Sequence, residues 1–128
     1  MTEIERVETD RAPAAIGPYS QAVVVDGWVY VSGQVALDRE TGGLVSDDVV
    51  EQAEHVLRNL SAILEEAGSA MERVVKATIY LEDMGDFARV NEVYSRHFGN
   101  HRPARAAVGV AALPKGAAVE VEAVARIA

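Results

Sequence analysis

The stretch from Pro103 to Pro114 most constrains what this chain can fold into, because it combines the composition of a strand with a single charge. Its sequence is Pro-Ala-Arg-Ala-Ala-Val-Gly-Val-Ala-Ala-Leu-Pro, and Arg105 is its only charged residue. A guanidinium left unpaired in apolar surroundings is costly unless an anion or a hydrogen-bonding partner meets it. The pattern therefore predicts a strand whose Arg105 receives an anionic group.

A second predicted strand, Val119 to Ile127, supplies a candidate partner. Its odd positions are uniformly apolar, and its even positions hold Glu120, Glu122, Val124 and Arg126. This alternation is typical of a strand with one face in the core. The turn residues Leu113-Pro-Lys-Gly116 precede it, so we expect the two strands to be neighbours, with Arg105 and Glu120 in one cleft. An ordinary surface ion pair is the alternative.

Length and composition indicate a single globular domain over residues 1–128, with 49% hydrophobic and 25% charged residues. A net charge of −8 argues against a nucleic-acid surface and against attraction to anionic lipid. The absence of cysteine excludes disulfides and thiolate catalysis. The first residues, Met1-Thr-Glu-Ile-Glu-Arg, lack a basic-then-apolar signal pattern, and no apolar run approaches the roughly 20 residues of a membrane span. We expect a cytoplasmic protein without a membrane partner.

Two segments have helical periodicity. The first has the apolar stripe Val49, Ala53, Val56, Leu57, Leu60, Ile63, Leu64 and Ala67, with Asp47 and Asp48 as candidate caps and Gly68 as its end. The second has the stripe Phe87, Val90, Tyr94 and Phe98, with Asp86 as candidate cap and Gly99 as its end. Each helix has one apolar face, so each should pack against a sheet.

The remaining segments are predicted strands. They are Ile4 to Thr9, Ser20 to Val25, Val29 to Gln34 and Val74 to Leu81, besides the two already described. Asp26-Gly27 indicates a hairpin between the second and third. This order predicts an α+β domain with a mixed sheet and both helices on one face. The bare face would then be covered by association of subunits, which the small residues Ala107, Gly109 and Ala111 would permit.

Five blocks of the chain resemble the RidA/YjgF family and occur in the family's order. They are Ala15-Ile-Gly-Pro-Tyr-Ser-Gln21, Val31-Ser-Gly-Gln34, Asp86-Phe-Ala-Arg-Val-Asn-Glu-Val-Tyr94, Pro103-Ala-Arg105 and Leu113-Pro-Lys-Gly-Ala-Ala-Val-Glu-Val-Glu-Ala-Val-Ala125. Each block alone is weak, but five in register over almost the whole chain are specific.

The resemblance implies a chorismate-mutase-like α+β fold and a homotrimer with clefts between adjacent subunits. It also implies hydrolysis of reactive enamines and imines, such as 2-aminoacrylate and 2-aminocrotonate, to 2-keto acids and ammonia. The family needs no metal or organic cofactor, so none is expected here. The expected partners are other copies of the chain and small 2-imino or 2-keto acids.

The same resemblance assigns two catalytic residues. Arg105 matches the family arginine, whose planar guanidinium would bind the substrate carboxylate through two parallel hydrogen bonds. Glu120 matches the family's acidic position and would hold the attacking water. Glu122, on the same strand face, is assigned to a structural pair.

Five further residues complete the predicted substrate pocket. Tyr19 would shield the imine and offer its hydroxyl, Ser32 would contact substrate or water, and Asn91 matches the family asparagine on the second helix. Backbone groups near Gly33 and Ala107 would add donors and acceptors. Without the resemblance, Tyr19, Ser32 and Asn91 would be interpreted as ordinary turn, strand and helix residues.

Two positions depart from the family pattern. Ala107 stands where many members have cysteine or threonine, which removes a polar side chain from the predicted pocket. Arg102 stands where an aromatic residue precedes Pro103. It would either add a second positive charge at the cleft mouth or be solvated on a loop, and we favour the loop.

Other functions stay open at this point. The same pocket would suit a non-catalytic trimer that binds or senses 2-keto acids, although a carboxylate beside a carboxylate ligand is unhelpful for simple binding. The family has also been described as ribonucleases and translation inhibitors, against which the negative charge weighs. His97 and His101 have the spacing of a helical metal pair, but Gly99 between them should end the helix, so no metal site is expected.

Overall fold

The computed structural model describes residues 3–127 and contains six strands and two α-helices. In chain order they are β1 (Glu5–Val7), β2 (Ala22–Val25), β3 (Trp28–Gln34), α1 (Val49–Glu66), β4 (Val74–Leu81), α2 (Phe87–Phe98), β5 (Ala104–Gly109) and β6 (Val119–Arg126). Met1, Thr2 and Ala128, which belong to the predicted single domain, lie outside the described residues. Neither helix in the described part has the length and apolar character needed to cross a bilayer.

The strands form one mixed sheet in the order β1-β2-β3-β6-β4-β5. All neighbouring strands are antiparallel except β4 and β5, which are parallel. Both helices pack on one face, where the buried side chains of β3, β4 and β6 form the core with α1 and α2. The predicted α+β architecture with two helices on one face is confirmed.

The prediction that the Arg105 strand and the Glu120 strand are adjacent in the sheet is wrong, because β4 lies between β5 and β6. Helix α2 connects β4 to β5, and such a crossover makes the two strands parallel neighbours. This leaves β5 at the edge of the sheet. The turn Leu113-Pro-Lys-Gly116 then carries the chain from that edge back to the centre, where β6 enters between β3 and β4.

The predicted helix ends are largely confirmed. The Asp48 side chain accepts a hydrogen bond from the backbone N–H of Glu51 at 3.2 Å, so it caps α1. Gly68 follows α1 with φ +86° and Gly99 follows α2 with φ +61°, a backbone region that glycine enters without strain. Asp86 precedes α2, but its side chain forms no cap and pairs with Arg89 instead.

A buried glutamine holds the segment before β2 in place. Gln21 is 2% exposed, and its Oε1 accepts a hydrogen bond from the Thr9 N–H at 2.7 Å. Its Nε2 donates to the carbonyl oxygens of Thr9 at 3.0 Å and Pro13 at 2.8 Å. Arg39 donates to the carbonyl oxygen of Ala12 at 2.6 Å. These contacts fix the path of the chain that leads to Tyr19.

Replacing Gln21 with leucine should lower the free energy of unfolding by about 2 kcal/mol or more, because one backbone donor and two carbonyls would lose their buried partner. Urea unfolding at a fixed protein concentration measures the change. Gln34→Leu is the matched control, since Gln34 is also buried but its side chain makes a single hydrogen bond within residues 3–127, from Nε2 to the Ser32 carbonyl at 3.2 Å. Equal losses in the two variants would contradict the assigned role of Gln21.

Candidate active site

Arg105 and Glu120 line two different cavities. The arginine cavity, of about 430 Å³, is lined by Asn91, Tyr94, Ser95, Arg102, Pro103 and Arg105. The glutamate cavity, of about 450 Å³, includes Tyr19, Gly33, Lys115 and Glu120 in its lining. Five of the seven predicted site residues therefore fall into two groups, Asn91 with Arg105 in one cavity and Tyr19 and Gly33 with Glu120 in the other.

The separation follows from the register of the sheet. Arg105 on β5 lies opposite Ala77 on β4, and Glu120 on β6 lies opposite Tyr80 on β4. Side chains alternate between faces along a strand, so two residues three positions apart point to opposite faces. Ala77 faces the helices and is fully buried, whereas Tyr80 is on the open face. The expectation that Arg105 and Glu120 of one chain share a cleft is thus wrong.

Arg105 is oriented by neutral partners on α2. Its Nη1 donates a hydrogen bond to Asn91 Oδ1 at 2.6 Å. Its guanidinium carbon lies 5.3 Å from the ring centroid of Phe87 and 4.9 Å from that of Tyr94, within the range of cation–π attraction. None of the ion pairs among residues 3–127 includes Arg105. The Arg105 side chain is exposed and lines the arginine cavity. Its position is fixed by neighbouring side chains, but its positive charge is not neutralised by them.

Glu120 is half-buried on the open face of the sheet. Burial raises the pKa of its carboxyl above the ordinary value, and the negative charge of Glu122 raises it further. Glu122 itself accepts a hydrogen bond from the Tyr80 hydroxyl. A raised pKa brings Glu120 nearer to neutrality, which suits a group that takes up and returns a proton.

Gly33 is the residue that makes room for this carboxylate. A Cβ added to Gly33 would lie 2.1 Å from Glu120 Oε2 and 2.8 Å from its Cδ. Any side chain there would displace the carboxylate. The glycine of the Val31–Gln34 block therefore allows the Glu120 carboxylate to lie against β3 in this position.

Tyr19 and Lys115 lie in the same cavity. Tyr19 is 54% exposed, and its N–H donates to the Gly17 carbonyl at 2.9 Å. Lys115, in the turn before β6, has φ +61°, an uncommon conformation for a residue other than glycine. We did not predict Lys115 as a site residue, although its turn directly precedes the strand that carries Glu120. Tyr94, which lines the arginine cavity, was likewise predicted only as a core residue.

Two predicted pocket residues line neither cavity. The Ser32 hydroxyl donates to the Ser20 carbonyl at 2.6 Å, and Ser32 thus supports the strand that carries Gly33. Ala107 is paired with Ile79 on β4 and packs partly against the core on the helix face. Their roles toward a substrate stay predictions.

The two histidines with metal-like spacing have other partners. The His97 ring nitrogen lies 2.8 Å from Glu54 Oε2, and the His101 ring nitrogen lies 2.6 Å from the Val74 carbonyl oxygen. Within residues 3–127 there is no group of three or more histidine, aspartate or glutamate side chains arranged to hold a metal ion. The two cavities thus present a cation at Arg105 and a half-buried carboxyl with a raised pKa at Glu120.

Comparisons with known proteins place this architecture in a family. Residues 9–127 match the family model described as Endoribonuclease L-PSP. The 2-iminobutanoate/2-iminopropanoate deaminase of Mus musculus is 56% identical over 119 residues, covering 93% of this chain and 88% of the mouse protein. A RutC family protein of Pyrococcus abyssi is 51% identical over 121 residues, covering 94% and 95% of the two chains.

A solved structure shows the same fold. RidA from the Antarctic bacterium Psychrobacter sp. superimposes with a TM-score of 0.91 at 49% identity, covering 96% of this chain and 99% of that one. The similarity extends over nearly the whole of both chains. It is therefore not confined to one structural motif.

Replacing Glu122 with glutamine should lower the pKa of Glu120, because the nearby negative charge is removed while the burial of Glu120 remains. Carbon-13 NMR titration of the glutamate carboxyl groups measures the shift. Glu92→Gln, an exposed change on α2, is the control and should leave the Glu120 titration in place. A Glu120 pKa that stays the same or rises in Glu122→Gln would contradict the electrostatic argument.

Proposed function

This chain belongs to the RidA/YjgF family, the one whose model is described as Endoribonuclease L-PSP, and on that premise we propose that it hydrolyses reactive enamines and imines of 2-amino acids to 2-keto acids and ammonia. Homologues named 2-iminobutanoate/2-iminopropanoate deaminase support this class of reaction. The observation that carries the proposal is Arg105, a cation that has a defined orientation and no neutralising partner in the described part of the chain.

Arg105 binds the carboxylate of the substrate in this proposal. The bond from Nη1 to Asn91 and the two rings beneath the guanidinium restrict its rotation, so less conformational entropy is lost when substrate binds. The remaining N–H groups can form two parallel bonds to a carboxylate. Because the imine carbon is adjacent to the carboxylate carbon, holding the carboxylate also fixes the position of the reacting atom.

Glu120 positions and activates the water. It accepts a proton as the water oxygen bonds to the imine carbon, and returns a proton to nitrogen before the carbon–nitrogen bond breaks. The overall change is R–C(=NH2+)–COO− plus H2O to R–C(=O)–COO− plus NH4+, which balances without an oxidant or reductant. An enamine substrate enters the same sequence after protonation at carbon gives the iminium ion.

One chain cannot present both residues to one small substrate, because they lie on opposite faces of its sheet. We therefore propose that the cleft forms between two subunits, with Arg105 from one copy and Glu120, Gly33 and Tyr19 from the next. A cyclic homotrimer would repeat this contact three times, as the family resemblance implies. The edge strand β5, rich in alanine, supports close approach of a second chain.

Two other functions are weaker explanations of the same site. RNA cleavage is disfavoured by the net charge of −8. Passive binding of 2-keto acids leaves Glu120 without a purpose, since a second carboxylate beside an anionic ligand opposes binding. The following experiment distinguishes both of these functions from imine hydrolysis.

Replacing Arg105 with alanine should lower catalysed imine hydrolysis by about a hundredfold or more, because the substrate loses its anchor and its orientation. The measurement is 2-keto acid release from 2-aminoacrylate and larger imines generated in situ by a dehydratase or an amino-acid oxidase. Glu120→Gln should cause a comparable loss, and Arg58→Ala, an exposed change on α1, should cause none. Size-exclusion chromatography checks that each variant keeps its assembly.

If the wild type does not accelerate imine hydrolysis over buffer but still binds 2-keto acids through Arg105, the protein is a sensor and not a deaminase. No acceleration together with cleavage of RNA would favour the ribonuclease. Hydrolysis that survives in Arg105→Ala would contradict the role given to the guanidinium.

Mixing the two inactive variants tests whether the cleft is shared between subunits. After Arg105→Ala and Glu120→Gln chains are unfolded and refolded together in equal amounts, about a quarter of the clefts should combine an intact arginine with an intact glutamate. Activity should return to about that fraction of the wild-type value. Each variant refolded alone is the control. No recovery from a mixture that forms mixed oligomers would contradict a cleft that combines Arg105 of one copy with Glu120 of the next.

A further inference from the structure

The arginine cavity contains a second guanidinium that the proposed reaction does not use. Arg102 lies in the connection between α2 and β5, three residues before Arg105, and both side chains line the cavity. Its Nη1 donates hydrogen bonds to the carbonyl oxygens of Gly99 and His101. These acceptors are neutral, and none of the ion pairs among the described residues includes Arg102. The charge of Arg102 is therefore held near the cavity but not cancelled.

A buried hydroxyl in the same wall lacks a partner. Tyr94 is 6% exposed, and its hydroxyl forms no hydrogen bond within the described residues. Burial raises the pKa of Tyr94, while the positive charges of Arg105 and Arg102 act in the opposite direction. The Arg105 guanidinium lies 4.9 Å from the centroid of the Tyr94 ring, and Arg102 lines the same cavity. With its pKa raised, the hydroxyl remains protonated and able to donate. A ligand oxygen would satisfy it.

The remaining lining adds no negative charge. Besides the two arginines and Tyr94, the cavity is lined by Asn91, Ser95 and Pro103. A chain with a net charge of −8 has here a concave surface with two cations and no carboxylate. Its volume of about 430 Å³ also exceeds what a three-carbon imino acid requires.

We propose that Arg102 selects 2-imino dicarboxylates, such as 2-iminosuccinate and 2-iminoglutarate, as preferred substrates of this site. The inference rests on the proposed function and specifies its substrate class. Arg105 binds the carboxylate next to the imine carbon, and Arg102 with the Tyr94 hydroxyl binds the distal carboxylate. Reactions that oxidise acidic amino acids to their imines are the class that would supply these substrates.

The test compares two substrates in each protein. Amino-acid oxidases acting on glutamate and on alanine generate 2-iminoglutarate and 2-iminopropanoate in situ, and kcat/KM is measured for both. The wild type should prefer 2-iminoglutarate, and Arg102→Met should lower the ratio of the two values by about tenfold, because a charged partner of the distal carboxylate is lost. Tyr94→Phe should lower the same ratio by a smaller factor.

Two further variants separate substrate selection from a structural effect of Arg102. Arg102→Lys should recover part of the ratio, since it restores the charge, whereas loss of the carbonyl contacts alone would slow both substrates alike. Arg58→Met removes an exposed arginine outside both cavities and should leave the ratio unchanged.

The possible results distinguish failure of the dicarboxylate preference from failure of the proposed deaminase function. A ratio that is unchanged in Arg102→Met, with 2-iminopropanoate still hydrolysed, would overturn the dicarboxylate preference and leave the deaminase in place. A wild type that favours 2-iminopropanoate would do the same. Failure to accelerate hydrolysis of either imine would overturn both proposals.

Discussion

Strand β4 is the structural element on which the rest of this protein depends. It pairs with β6 on one side and with β5 on the other, so it sets the register of Glu120 and Arg105 at once. Their partners on β4, Tyr80 and Ala77, are three residues apart, and the alternation of side chains along a strand directs them to opposite faces. Two groups suited to one reaction are thus held apart within one chain by the geometry of a regular strand.

Each half of the proposed site is prepared by its own surroundings. On the helix face, Asn91 and two aromatic rings orient Arg105 without neutralising it, so its charge remains available to a ligand. On the open face, burial and a like charge raise the pKa of Glu120, while Gly33 leaves space for its carboxylate. The first environment favours anion binding and the second favours proton transfer. Our proposal requires two copies of the chain to associate so that Arg105 of one and Glu120 of the other meet in one cleft.

Local patterns were sufficient to predict most of the fold. The alternation in β6 and the apolar stripes of both helices predicted the core faces correctly, and Asp48, Gly68 and Gly99 are found where the helix ends were expected. Pairing between distant strands was harder to predict from the sequence. The turn before β6 has the composition of a hairpin, but it connects the edge of the sheet to its centre. The Asp86 side chain is a different case, because a local competitor three residues away, Arg89, pairs with it in place of a cap on α2.

The sequence by itself determined the α+β class, the family and the residue types of the candidate site, because periodicity and short motifs depend on neighbours along the chain. Only the tertiary structure decided that Arg105 and Glu120 occupy separate cavities. It also decided that Arg102 joins Arg105, together with a Tyr94 hydroxyl that has no hydrogen-bond partner in the described part of the chain, and that Lys115 joins Glu120. Those relations depend on strand order and register. They are set by the packing of segments distant in sequence, for which no local pattern carries a signal.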